Sequence, residues 1–319
     1  MTTATPMQDL GFTEEGVEAL TDTLDEPDYM REFRQDAFEL YKELPIPSAE
    51  NSEEWRRTDV TDLDFGALRA SAGSGYADES LPQYLEEIQV AESDRKGLHL
   101  EHNAGDSILE LSEDLEEQGV VFCSMSEAVR EHPEIVRDHF MTEALEVDLN
   151  KFSAMHAAFW SGGTFLYVPK NLEIEAPLEM HSYVDQDALS LFDHTLIVVG
   201  PNSKVNLVDS HRGEDDLEER ALCGSAVEIH VGDGGSVDYS HIQDLGSNYY
   251  DVSMRRGVCD QNAQLNWITG TLGAEKCKTS AITKLNGEGS ETFLYGVMMG
   301  SDQQHIDSDI STVHDAPHT

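Results

Sequence analysis

The feature that most constrains the fold is a pattern that recurs in the second half of the chain. The pattern consists of the end of a strand, a polar turn of Gly, Pro or Asn, a small residue, and a strand of alternating apolar and polar residues. It recurs at residues 168–174, 199–207, 231–239, 259–267 and, more loosely, 285–290. The equivalent apolar residues Ile174, Val205, Val237 and Leu265 follow at intervals of 31, 32 and 28 residues. A drifting period near 30, with turns in register, is typical of a strand solenoid, because one turn cannot bury its apolar side alone.

We therefore predict that the chain is mainly β, with a right-handed parallel β-helix of about five or six turns over roughly residues 155–319. The alternative is an antiparallel sandwich, but sandwich turns come every 8–12 residues or so and do not repeat in content at 30. The inner column of the helix is expected to hold Leu196, Val198, Val205, Leu207, Val227, Ile229, Val237, Leu265 and Trp267.

The first half has a different composition and predicts an α-helical N-terminal region. Residues 1–150 hold 38 of the 63 acidic residues but only 8 of the 24 glycines. We expect two parts, residues 1–150 and residues 151–319, with a flexible loop near 70–80 in the first. Expected elements are a helix from Asp28 to Pro45, a helix through Ile108, Leu111 and Leu115 closed by Gly119, a strand at 120–122, and helices starting at Ser126 and Pro133.

Charge excludes one large class of function. The 63 acidic and 20 basic residues give a net charge of −43, whereas a nucleic-acid binder needs a basic face. Since 39% of residues are hydrophobic, a core can form. We predict a folded protein with an acidic coat suited to a salt-loaded cytoplasm. An acidic interaction protein is the alternative.

Targeting and cysteine patterns predict a cytoplasmic protein without a membrane partner. No apolar run approaches the 18 or so residues of a membrane span, and residues 1–10 lack the pattern of a signal peptide. The four cysteines form no CxxC motif, so free thiols are expected.

Motifs for nucleotide binding and hydrolysis are absent from the sequence, so we expect no catalytic residues and no enzyme. It contains no GxxxxGK[ST], no GxGxxG opening a helix, no GxSxG and no HExxH. Cys259 and Cys277 are 18 residues apart on neighbouring repeats. They are the candidate metal ligands, because thiolates bind iron and iron–sulfur clusters; alternatively, they are small buried apolar residues.

Three further groups of residues are weaker candidates for a functional site. His194 stands beside Asp193 at the start of an apolar strand and is either a proton carrier or, as we favour, a structural histidine. Asp307 and Asp309 alternate on one strand face and resemble the paired acids of a carbohydrate-active enzyme, but no basic residue lies near them in the sequence. His314 and His318 are four residues apart, in the context of a turn rather than a helix.

Several segments together carry a family resemblance. One contains Trp55-Arg56-Arg57-Thr58, and the others lie at residues 160–169, 193–196, 300–307 and 313–319. In this order they resemble the SufB/SufD family of iron–sulfur cluster assembly proteins, from about residue 25 onward. The Trp-Arg-Arg-Thr segment is SufD-like, and a SufB-like pattern would place a cysteine near Ser210, so we favour the SufD-like branch.

The resemblance implies a helical N-terminal region followed by a right-handed parallel β-helix. It also implies a scaffold role in the SUF system, with a SufB-like subunit and a SufC-like ATPase as partners. No cofactor is expected to bind stably, although an iron–sulfur cluster could pass through the complex. Family members continue with further turns and a helical C-terminal region, so we expect this chain to lack that part and to associate through its C-terminal β edge. The alternatives are a carbohydrate-active β-helix enzyme and an acidic interaction domain.

Overall fold

A computed structural model describes residues 10–71, 81–91, 93–215 and 217–319. The described chain is mainly β, with 38% of residues in strands and 22% in helices. Its helices are α1 (Glu14–Thr23), α2 (Asp28–Glu43), α3 (Gln83–Val90), α4 (Glu113–Glu116), α5 (Met125–Glu131), α6 (Pro133–His139) and α7 (Lys151–Phe159). Its strands are β1 (Arg69–Ala70), β2 (Gly97–His102), β3 (Gly105–Leu111), β4 (Val121–Ser124), β5 (Thr164–Val168), β6 (Leu178–Val184), β7 (Leu189–Ser190), β8 (His194–Val199), β9 (Lys204–Gly213), β10 (Ala221–Cys223), β11 (Ala226–Val231), β12 (Ser236–Asp244), β13 (Tyr249–Asp251), β14 (Met254–Cys259), β15 (Gln264–Thr271), β16 (Lys276–Leu285), β17 (Glu291–Met298) and β18 (His305–His314).

Successive strands alternate between two sheets, and strands one turn apart pair in parallel. The first sheet contains β5, β8, β11, β14, β16 and β18, and the second contains β6, β9, β12, β15 and β17. Val237 pairs with Val205 on one side and with Leu265 on the other. This register confirms the predicted repeat and gives a β-solenoid of about five turns.

The turns that join the first sheet to the second stack on one another, as predicted. Each contains a residue with positive φ, at Asn171, Asn202, Gly234, Asn262 and Gly289. Asn and Gly reach this left-handed region at the lowest cost. The N–H of Asn202 donates to the carbonyl of the next turn at 2.8 Å, and the N–H of Gly234 does the same. The recurring turn residues therefore fix the register of the solenoid.

The inner column is largely as predicted, with one correction. Seven of the nine expected residues belong to the apolar cluster between the two sheets, but Leu196 and Val198 do not. On β8 the inner positions are Ile197 and Val199. Leu196 and Val198 face outward instead, against the helical layer. Because β8 is buried on both faces, its apolar run does not reveal which face is inside.

The N-terminal helices cover the outer face of the first sheet. The core beneath them joins residues of α1, α2, α5 and α7 to outward residues of the sheet. Helix α7 is buried along nearly its whole length. Arg34 of α2 is fully buried, pairs with Glu26 and donates to the carbonyl of Ala158 on α7, 3.0 Å away. The helical layer and the solenoid therefore share one core.

Several local predictions for the first half are confirmed and two are wrong. Helix α2 ends at Glu43, before the prolines, and α6 starts at Pro133. The predicted helix through Ile108 and Leu111 is wrong, because β3 pairs with β2 there and only α4 follows. Helix α5 is capped by Ser124 rather than Ser126. From residue 72 onward, the predicted loop near 70–80 lies outside the described residues. Three strands of the first 150 residues, β2, β3 and β4, belong to the two large sheets.

Candidate functional site

The interior of the solenoid changes from apolar to polar halfway along its strands. On β9 the inward residues Val205 and Leu207 are followed by Asp209 and His211, and β12 shows the same change. The polar residues lie between two apolar clusters of the interior. We call them the inner polar cluster, and its members are Asp193, Asp209, His211, Cys223, Ser225, Tyr239, His241 and Arg255.

His211 lies between two buried carboxylates. Its Nε2 atom is 3.1 Å from Oδ2 of Asp193 and 3.6 Å from Oδ1 of Asp209. Burial alone would lower the pKa of His211, but the charges of Asp193 and Asp209 raise that pKa well above its ordinary value. Burial would likewise raise the pKa of each carboxyl, and the charge of His211 brings both below their ordinary value. The arrangement therefore holds an imidazolium between two ionised carboxylates.

A neutral histidine and a tyrosine hydroxyl supply further hydrogen bonds to Asp209. The Nδ1 atom of His241 lies 3.0 Å from Oδ2 of Asp209, and the hydroxyl of Tyr239 donates to the same oxygen. Burial and the nearby charge of Arg255 lower the pKa of His241 to about 4. Its Nδ1 therefore carries the proton and donates, which leaves the buried Nε2 as an acceptor without a partner in the described chain.

The positive charge of His211 faces the two carboxylates, and the charge of Arg255 acts on Tyr239 and His241. Arg255 lies on β14 opposite the inward residue Val227, and it is 6% exposed. Buried charges are tolerated only when opposite charges and hydrogen bonds compensate them. The inner polar cluster is therefore a buried network in which the imidazolium of His211 compensates the two carboxylates.

One thiol belongs to this network. The Sγ atom of Cys223 is 3.3 Å from Oγ of Ser225 and 3.5 Å from Oγ of Ser253. Ser225 in turn donates to Asp193. Cys223 thus joins the charged half of the interior to Ser253 on the following turn.

The two predicted metal ligands are not brought together. Cys277 pairs with Asp251, whereas Cys259 pairs with Leu285, so the two thiols lie eight residues apart along neighbouring strands. Burial raises the pKa of Cys259 to about 12 and also raises the pKa of Cys277. Neither group is a ready thiolate, and in the described residues no set of three or more His, Cys, Asp or Glu side chains is arranged to hold a metal ion.

One of the two predicted paired acids, Asp307, is engaged in structural contacts. Asp307 accepts a hydrogen bond from Thr58 at 2.8 Å and one from Lys278 at 3.2 Å. Burial would raise the pKa of Asp307, but these two partners lower it overall, which favours the ionised carboxylate. No basic residue was noted near these acids in the sequence, but the preceding turn of the solenoid brings Lys278 alongside Asp307.

The remaining candidate histidines have structural surroundings. His194 is fully buried, and its Nδ1 atom lies 2.9 Å from Nε2 of His156. Nδ1 of His314 lies 2.7 Å from Oγ1 of Thr319, and His318 has a positive φ of 60° in a turn. The last two therefore do not share a helix face.

Sequence reasoning missed the inner polar cluster, although a signal for it was present. The inward positions of β9 and β12 were identified as far as Leu207 and Val237, and the alternation continues through Asp209 and His211 on β9 and through Tyr239 and His241 on β12. Polar residues that keep the inward phase of an apolar strand indicate a buried polar site.

Comparisons with known proteins place this architecture. The family profile described as the SufBD core domain of the SUF system of FeS cluster assembly matches residues 182–319. The profile of the SufBD N-terminal region matches residues 104–180. The iron–sulfur cluster assembly protein SufB of Bacillus subtilis is 29% identical over 97% of this chain, and a SufBD family protein of Staphylococcus epidermidis is 28% identical over 97%. The chain spans 67% of the length of each relative.

The fold defines the class of protein, a parallel β-solenoid with a helical N-terminal layer. The chain belongs to the SufB/SufD family, whose named members are iron–sulfur cluster assembly proteins. Across the described residues, no helix is both long and apolar enough to span a bilayer.

Proposed function

We propose that the protein is a non-enzymatic, SufD-like scaffold subunit of a cytoplasmic SUF complex. In this complex it binds a SufB-like subunit and a SufC-like ATPase, and the cluster is cargo rather than a resident cofactor. Family membership supports the role in cluster assembly. The SufD-like assignment rests on the Trp55-Arg56-Arg57-Thr58 segment and on the absence of a cysteine near Ser210.

The observation that carries the subunit role is the apolar surface of the last described turn. Strands β17 and β18 are edge strands of the described sheets. They expose large apolar side chains, namely Phe293, Tyr295, Val297, Met298, Ile310 and Val313. Large exposed apolar side chains on edge strands mark an interaction site, and edge strands can also pair with a partner strand.

The location of the thiols supports a role without a resident cluster. All four cysteines are buried, and burial raises the pKa of Cys259 and of Cys277. Cluster iron binds deprotonated thiolates. We therefore infer that exposed ligands for a nascent cluster come from the partner subunit.

Binding to purified partners tests this proposal. We would mix the chain with a SufB-like subunit and a SufC-like ATPase in high salt and measure the mass of the complex by light scattering after gel filtration. Ile310→Lys places a charge on the last turn, and Val90→Lys is the matched control, since Val90 is exposed on α3.

We expect the wild type and Val90→Lys to form a heteromeric complex, and Ile310→Lys to weaken it at least tenfold. Without partners, the same edge should allow self-association that Ile310→Lys reduces, as seen by sedimentation. No complex with the wild type, or equal binding by all three chains, would contradict the proposed role of this surface.

A further inference from the structure

Part of the outer face of the second sheet is apolar and exposed. Ile242 on β12 is 50% exposed, Ile268 on β15 is 47% exposed and Val297 on β17 is 60% exposed. Ile242 and Ile268 point outward, because the residues that precede them on β12 and β15 are buried. Folded proteins rarely leave large apolar side chains together on the surface unless something binds there.

The strand register arranges these side chains around Gly270. Gly270 pairs with Ile242 on one side and with Val297 on the other. Ile268 and Leu272 lie two residues before and after Gly270, so they share its outward face, and Leu272 is also exposed. Neighbouring strands are about 4.8 Å apart and alternate residues about 6.6 Å apart. The four side chains therefore surround a position without a side chain, which we call the Gly270 socket.

Neither backbone conformation nor internal packing requires glycine at this position. A methyl group added at Gly270 would meet its nearest neighbours, Cγ1 of Ile242 and the carbonyl oxygen of His241, at 3.8 and 3.9 Å, which are ordinary contacts. The φ of Gly270 lies outside the left-handed region that favours glycine. A glycine inside a strand weakens the strand and often marks a place where a ligand or another chain approaches closely. Gly270 therefore fits a surface that receives a group from outside.

Helix α3 covers the same face of the sheet beside the socket. Leu85 of α3 packs in a buried apolar cluster with residues of β2 and β6. The hydroxyl of Tyr84 on α3 lies 3.3 Å from Oγ of Ser210 on β9. Ser210 pairs with Ile242, so the contacts of α3 reach the strand next to the socket. The exposed side chains of the socket thus continue a surface that the chain itself covers with the apolar side of a helix.

The charges around the socket indicate which kind of helix fits. Strands β12, β15 and β17 contain no lysine or arginine, whereas Asp238, Asp244 and Glu291 lie on β12 and β17. Arg212 on the neighbouring β9 is already engaged, since it lies 4.0 Å from Asp244 and over the ring of Tyr84. An acidic rim around an apolar floor is complementary to a helix with an apolar stripe and basic flanks.

We propose that the Gly270 socket is a docking site for a basic amphipathic helix of a partner protein, with one large apolar side chain of that helix seated over Gly270. The apolar stripe of the helix covers Ile242, Ile268 and Val297, and its lysine or arginine flanks face the acidic rim. Val297 also belongs to the apolar surface of the last turn, but Gly270, Ile242 and Leu272 do not. The inference therefore does not depend on the proposed function.

Binding of a model helix to the full chain tests the proposal. The probe is a fluorescent peptide of about 14 residues, or roughly four helical turns, built of leucine and lysine with the leucines on one face. A second peptide has glutamate in place of lysine. Fluorescence anisotropy is measured at about 1 M salt, where the Debye length is about 3 Å and distant charges are screened. We expect one lysine peptide to bind per chain, at least threefold more tightly than the glutamate peptide.

Filling the socket should abolish most of this binding. Gly270→Lys places a long side chain and a positive charge in the socket, so it should weaken binding of the lysine peptide at least tenfold. Gly11→Lys is the matched control, because Gly11 lies before α1 and an added side chain there also meets an ordinary contact, with Thr13 at 3.6 Å; binding should be unchanged. Ile268→Ser removes one side of the socket and should weaken binding at least threefold, which keeps the test decisive if Gly270→Lys does not fold.

Several results would overturn the proposal. They are no binding of the lysine peptide to the wild type, equal binding of the two peptides, and equal binding of the lysine peptide to the wild type, Gly270→Lys and Ile268→Ser. A wild-type dimer in sedimentation that Gly270→Lys abolishes, without any peptide binding, would assign the socket to a second copy of this chain and would also overturn the helix as its partner.

Discussion

The Nε2 atom of His211 lies 3.1 Å from Oδ2 of Asp193 inside the solenoid, and both side chains are buried. The two residues lie on either side of a stacked turn, Asp193 before β8 and His211 near the end of β9. Their ion pair therefore ties the first sheet to the second across the interior. The inner polar cluster therefore affects folding stability as well as being a candidate functional site, because each buried charge is stable only while its neighbours compensate it.

Removing the central imidazolium should strongly destabilise the fold. His211→Ala leaves Asp193 and Asp209 as two buried carboxylates without their shared cation, and breaking a buried pair in this way costs about 3–5 kcal/mol. The free energy of unfolding from denaturant titration measures the effect. His314→Ala, at an exposed histidine, should change it by less than about 0.5 kcal/mol. Equal stability of both variants would show that the pair contributes nothing.

Stability should fall in acid because of the same carboxylates. The pKa of Asp209 lies below its ordinary value of 3.8, owing to His211 and to hydrogen bonds that outweigh burial. A depressed pKa gives stability that is present above 3.8 and is lost as pH falls through the folded value. Asp209→Asn should therefore lower stability at pH 7 and flatten the loss below pH 3.8. The free energy of unfolding is measured by denaturant titration at each pH. If it falls with pH in the variant as steeply as in the wild type, Asp209 is not the cause of the acid sensitivity.

The cysteines should be unreactive in the folded protein. All four thiols are buried, and burial raises the pKa of Cys259 to about 12, whereas the thiolate is the reactive form. Labelling with a chromogenic disulfide at pH 8 should be at least a hundredfold slower than in denaturant. Ser301→Cys, at an exposed position, provides a fast-reacting control. Rapid modification of the native wild type would show that the thiols are accessible.

The acidic coat predicts a dependence on salt. With a net charge of −43, repulsion grows as the Debye length increases from about 3 Å at 1 M to about 30 Å at 0.01 M salt. The melting temperature should therefore fall as ionic strength is lowered over that range. A flat or rising melting temperature would contradict the interpretation that the surface is adapted to high salt.

The solenoid could be predicted from the sequence because each turn is marked by residues with a local preference for turn conformations. Residues such as Asn202 and Asn262 adopt positive φ within a repeated context, so the repeat length and the register follow from local conformational preference. Which face of β8 points into the solenoid could not be predicted, because Leu196 and Ile197 lie on opposite faces and both are buried.

The strand pairing of β3 was missed for a related reason. Ile108 and Leu111 fit a helical spacing, but β2 pairs with this segment, and tertiary pairing outweighs a short apolar pattern. The approach of Lys278 to Asp307 and the separation of Cys259 from Cys277 depend on the offset between neighbouring turns, which the distance along the chain does not give.

Cluster assembly by the reconstituted complex tests the central claim most directly. A SufB-like subunit and a SufC-like ATPase would be supplied with ATP, iron and sulfide, with and without this chain, and the transfer of a cluster to an apo-acceptor would be followed by visible absorption. We predict that the chain raises the rate of transfer several-fold and that Ile310→Lys removes the gain while Val90→Lys retains it. A rate that is the same with and without the chain would contradict its role as a scaffold subunit of cluster assembly.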